Sequence, residues 1–86
     1  MQSAVHLQLQ ECEFELKLID AESNLYETKR KQRHCELDGS DRVAALALKL
    51  ETSQAELKVV KIETCLFHLR RRIKALASAK YGEQRN

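Results

Sequence analysis

Cys65 and His68 stand three residues apart, a spacing that places both on one face of a helix and suits two ligands of one zinc ion. Cys12 could join them if the chain folds back on itself. A structural zinc takes four ligands and only three are in view. Cys12 also falls in an apolar stripe, where a cysteine serves as a small hydrophobe. The residues Cys12, Cys65 and His68 are therefore read as no metal site, and no cofactor is expected. Glu11, Glu13 and Glu15 alternate by two, which spreads them around a helix instead of pairing them for acid–base work. No Gly-rich phosphate loop, nucleophile elbow or triad spacing occurs, and enzymatic activity is not expected. The basic clusters Lys29–Arg33 and Arg70–Lys74 have no interleaved aromatic residue and are balanced by acids elsewhere, so neither nucleic acid nor membrane is expected as a partner.

What recurs is apolar spacing. From Leu48, alternating steps of four and three reach Thr52, Ala55, Val59, Ile62, Leu66, Leu69, Ile73 and Leu76, and only Thr52 is polar. The mean step of 3.5 belongs to a helix packed along its length on another helix. The first part of the chain carries two such stripes. One is Val5, Leu9, Cys12, Leu16, Ile19, Ser23 and Tyr26. The other, nearly half a turn away, is Leu7, Phe14, Leu18, Ala21 and Leu25. The second part likewise has a further stripe, Val43, Leu46, Leu50, Leu57, Val60 and Phe67.

The 86 residues allow one small module and no large core with a cleft. Pro is absent, Gly occurs twice, and 33% of residues are charged, the composition of long helices and coiled coils. Helices are expected over about 3–36 and 41–79, joined at Asp38-Gly39-Ser40-Asp41, the one turn signal. Gly39 would take the left-handed position and Ser40 or Asp41 would cap the second helix. The segment Lys80–Asn86, with Gly82 and no apolar pattern, is expected to fray.

A hairpin pairs the first stripe with the Leu48–Leu76 seam as Val5–Ile73, Leu9–Leu69, Cys12–Leu66, Leu16–Ile62, Ile19–Val59, Ser23–Ala55 and Tyr26–Thr52. Every pair has residue 39, the glycine, as its midpoint. The fold expected is all-α: an antiparallel coiled-coil hairpin turning at Gly39, with one continuous parallel coiled-coil dimer as the alternative. Residues 1–28 carry a net −5 and residues 70–86 a net +5, which an antiparallel arrangement brings together. That seam leaves Phe14, Leu18 and Leu25 on one helix and Leu46, Leu50, Leu57, Val60 and Phe67 on the other to face a partner. This is too much apolar surface for a lone soluble chain, and self-association into a helical bundle, as a homodimer or higher, is expected. Three cysteines in odd number suit a reducing, cytoplasmic setting, and the module is expected to be a segment of a longer protein.

Glu15-Leu16-Lys17-Leu18, then Asp20, then Asn24-Leu25 resembles the first-helix signature of the Rho-effector homology repeat, the antiparallel coiled-coil finger of protein-kinase-C-related kinases, rhophilin and rhotekin. The Gly-Ala pair of that signature is replaced here by Ala21-Glu22. Ser53-Gln54 followed by Leu57, Val60 and Leu66 is similar to the family's closing helix. The resemblance implies a module that binds an active Rho-type GTPase, with Leu18, Leu25, Leu46 and Leu50 as anchors. The residue pattern itself points to a coiled-coil segment of an intracellular scaffold (cytoskeletal, centrosomal or vesicle-tethering) that pairs with itself or with another coiled-coil protein.

Overall fold

A run of 34 residues without Gly or Pro, rich in Leu, Glu, Lys and Gln, has nothing to interrupt a helix. The computed structural model describes residues 4–37, 39 and 41–84, and for 80–84 the backbone alone. Helix α1 covers Ala4–Leu37 and helix α2 covers Arg42–Gln84. They pack on each other as an antiparallel hairpin about 69 Å long and 19 Å wide. Helix α2 passes through Gly82, contrary to the expected fraying: a single glycine costs a helix about 1 kcal/mol relative to alanine and does not stop it. Residues 85 and 86 lie outside the described residues.

The turn is built as its composition requires. Gly39 has φ +62°, the left-handed region open to glycine, and its N–H donates to the Glu36 carbonyl at 3.5 Å. Asp41 caps α2: its carboxylate accepts from the Val43 N–H at 3.4 Å and its carbonyl accepts from the Ala45 N–H at 3.0 Å. The expected role of Ser40 falls outside the described residues.

Helix α2 turns inward the stripe anticipated for it. Thr52, Ala55, Val59, Leu66 and Leu69 are buried, and Leu48, Ile62 and Ile73 are half-buried. Leu76, at the end of the stripe, is exposed. Helix α1 differs from expectation. Val5, Leu9, Cys12, Leu16, Ile19 and Tyr26, expected in the seam, are all exposed. The enclosed face is Leu7, Glu11, Phe14, Leu18, Ala21, Leu25, Thr28, Gln32 and Cys35, with Leu7 at 2% exposure and Ala21 at 1%. Phe14, Leu18 and Leu25, expected to face a partner, are thus half-buried on the side of their own α2.

Taken outward from the turn, the enclosed positions run in step: Cys35 with Ala45, Gln32 with Leu48, Thr28 with Thr52, Leu25 with Ala55, Ala21 with Val59, Leu18 with Ile62, Phe14 with Leu66, Glu11 with Leu69 and Leu7 with Ile73. The midpoint moves from residue 39 to residue 40. Each α2 position is thereby matched to an α1 residue two places further on, and two residues of helix are about 200° of rotation. A one-residue shift of the midpoint therefore exchanges the two faces of α1.

Charge and size distinguish the register that forms. It brings Glu11 and Glu15 to Arg70, whose guanidinium lies 3.6 Å from the first carboxylate and donates to the second at 3.0 Å, and it sets Lys29 4.0 Å from Glu56. It also encloses two alanines, Ala21 and Ala55, among the larger buried residues of the seam. The buried threonines need no partner across the seam. The Thr28 hydroxyl donates to the Leu25 carbonyl at 2.9 Å, and that of Thr52 to the Leu48 carbonyl at 2.8 Å.

Candidate interaction surface

Once one stripe of each helix is enclosed, the other is left on the opposite flank. On α1 the outward set is Val5, Leu9, Leu16, Ile19 and Tyr26, with exposures of 59–68%, and Cys12 lies among them. On α2 it is Val43, Leu46, Leu50, Leu57, Val60 and Phe67, exposed by 53–71%. Of the residues expected to meet a partner, the five on α2 do lie outside and the three on α1 do not. Their place is taken by the stripe expected in the seam. The result is two apolar rows, one along each outer flank, running most of the hairpin's length.

Polar groups border these rows. Arg70 is committed to Glu11 and Glu15, and Lys29 to Glu56, all at the edges of the enclosed seam. These pairs are largely in solvent and each contributes on the order of 0.2–1 kcal/mol, enough to favour one register over another but not to hold the helices together. Lys17 sits over the Phe14 ring at 5.1 Å, and Arg71 over the Phe67 ring at 5.8 Å. His68 meets Phe67 edge to face with centroids 5.7 Å apart. Phe67 is thus exposed yet held in place, a property of anchors at interfaces.

The cysteine–histidine cluster does not come together. Cys65 and His68 border a shallow groove between the helices with Gln10, Phe14 and Arg72, whereas Cys12 belongs to the outward row of α1. Among the described residues, no group of three His, Cys, Asp or Glu side chains is placed to hold a metal ion. Cys12, Cys35 and Cys65 are free thiols. Among the described residues, no helix is long and apolar enough to cross a membrane.

Sequence reasoning passed over Glu11, Thr28, Gln32 and Cys35 as interior positions because their side chains are polar or small. Extending the spacing of Leu7, Phe14 and Ala21 by sevens gives Thr28 and Cys35, and extending Leu18 and Leu25 gives Glu11 and Gln32. The signal was positional, and residue type masked it. Compared with protein-family models, curated proteins and solved structures, the chain matches none.

Proposed function

We propose that this hairpin is a protein–protein interaction and oligomerisation module, a coiled-coil segment of an intracellular scaffold that assembles with copies of itself. The observation that carries the reading is the pair of exposed apolar rows, eleven large side chains each more than half exposed, in a chain whose enclosed seam is itself interrupted by Thr28, Gln32 and Thr52. Apolar surface of this extent, arranged at heptad spacing, is the signature of a helix that receives another helix. No catalytic chemistry is assigned to it. Its three free cysteines suit a reducing compartment, where a cytoskeletal, centrosomal or vesicle-tethering scaffold would work.

A second reading, a binding module for an active Rho-type GTPase, is supported by the resemblance over Glu15–Leu25. Of the anchors implied by it, Leu46 and Leu50 are exposed while Leu18 and Leu25 are turned toward α2, which confines such a site to the α2 flank. Sedimentation of the purified chain over a concentration series, beside capture by GTP-loaded and GDP-loaded Rho-type GTPases, separates the two. Concentration-dependent assembly without capture supports the scaffold. Nucleotide-dependent capture by a chain that stays monomeric supports the GTPase.

A further inference from the structure

We propose that the outward row of α1 docks antiparallel on the outward row of α2 of a second copy, so that hairpins add side by side through one repeated, two-faced contact. This rests on the self-assembly reading above and specifies its geometry.

Charge is the first argument. Beside the α1 row stand Glu13, Asp20, Glu22 and Glu27, with Glu15 already engaged by Arg70. Beside the α2 row stand Arg42, Lys49 and Lys61 against one acid, Glu63, with Glu56 already engaged by Lys29. Two α1 rows laid together would oppose acid to acid. An α1 row laid on an α2 row brings acid to base.

Register is the second argument, and it is independent of the first. Set Leu16 level with Val60 in antiparallel order, and Leu9 meets Phe67, Ile19 meets Leu57 and Tyr26 meets Leu50. The polar interruptions then coincide as well: Ser23 falls level with Ser53, and Cys12 with Thr64. A slip of one heptad in one direction puts Leu16 on Ser53 and Ser23 on Leu46. In the other direction it puts Leu9 on Lys74 and Cys12 on Arg71. Within the hairpin, the pairs Glu15–Arg70 and Lys29–Glu56 each join residues displaced by five positions from level. The same displacement in the matched register pairs Asp20 with Lys61 and, on the other margin, Glu22 with Lys49. Glu15 and Glu56 also approach there, each already neutralised within its own chain.

On each helix the outward row and the enclosed row are two residues, about 200°, apart, so the two rows of a hairpin lie on opposite flanks. A second copy that covers one leaves its own counterpart open. The contact is heterologous, and the assembly continues past the dimer. The midpoint of the pairing between copies is residue 38, whereas within the hairpin it is residue 40. Each added copy is therefore displaced along the helix axis by four residues, about 6 Å.

The test is complementation between two variants, Leu16→Asp, which blocks the α1 row, and Leu57→Asp, which blocks the α2 row. Both sites are exposed, and circular dichroism checks that each variant keeps its helices. The expected result is that each variant alone sediments as a monomer, while an equimolar mixture forms a one-to-one dimer and nothing larger, and the unmodified chain passes beyond the dimer. Dimerisation of Leu57→Asp by itself would mean that α1 rows pair with each other, overturning the proposal while leaving self-assembly standing. An unmodified chain that stays monomeric at all concentrations would overturn both. Orientation is read in the same mixture with Cys35→Ser and Cys65→Ser in both chains. Thr64→Cys and Cys12→Ser are added to the Leu16→Asp chain, and oxidised glutathione is supplied. A mixed disulfide between Cys12 of one chain and residue 64 of the other is expected. A one-to-one dimer that forms no such disulfide rejects the register.

Discussion

Leu7 and Leu9 are two residues apart on α1, are chemically identical, and differ in exposure by 2% against 59%. Replacing each by alanine asks which face of α1 is inside. A buried Leu→Ala change costs about 2–5 kcal/mol, the transfer free energy of the lost atoms plus a cavity term. Leu7 lies in the last layer of the seam, opposite half-buried Ile73, where neighbours relax into the space, so the lower part of the range applies, about 2–3 kcal/mol. For a domain of this size each kcal/mol moves the melting temperature by about 4–8 °C, and Leu7→Ala should melt roughly 8–24 °C lower. Leu9→Ala removes atoms already in water and should change stability by no more than about 0.5 kcal/mol. The assay is thermal and urea unfolding followed by far-ultraviolet circular dichroism, at concentrations where sedimentation shows a monomer. Equal losses for the two variants, or a larger loss for Leu9→Ala, would refute the assignment of faces and restore the register centred on residue 39.

Ile62→Glu places a carboxylate in the middle of the enclosed seam and should unfold the chain, whereas Leu50→Glu, on the outer flank, should preserve helicity and abolish association; circular dichroism and light scattering on both variants check this. Nothing lies within 4 Å of a Cβ added at Gly39, so Gly39→Ala should cost only the strain of a left-handed alanine, about 1–2 kcal/mol in urea unfolding. Arg70→Ala should cost about 0.4–2 kcal/mol, a difference that shrinks as salt is raised from low to high ionic strength, since its pairs with Glu11 and Glu15 are largely exposed to solvent.

The architecture was legible because it depends on few residues. The absence of Pro and the single Asp-Gly-Ser-Asp turn leave two long helices and one place to reverse. The inward face of α2 was also readable, since Ala55, Val59, Leu66 and Leu69 keep the seven-residue spacing with one polar break. The inward face of α1 was not. Its two rows are almost equally apolar and lie about half a turn apart, so exchanging them costs one residue in the midpoint of the hairpin, less than a four-residue turn can specify. The row that is more continuously apolar, Val5 to Tyr26, is the one left outside. The row enclosed is the one with Ala21 and Thr28, and it brings Glu11 and Glu15 to Arg70. The choice of face is a property of the pair of helices, and hydrophobicity summed along one of them does not contain it.

The antiparallel course of α1 and α2 also has a mechanical consequence. The start of α1 and the end of α2 lie at the same end of the hairpin, with Gly39 at the other, roughly 50 Å away along 34 residues of helix. A load applied to both ends of the chain pulls at right angles to the seam at its open end. It parts the Leu7–Ile73 layer first and then each layer in turn toward Gly39, as a zipper opens. Only one layer resists at any moment, so the force needed is that of the strongest single layer and not the sum of them all. The same contacts pulled along their axes would have to break together. Along its own backbone, then, this hairpin opens one layer at a time and yields at low tension.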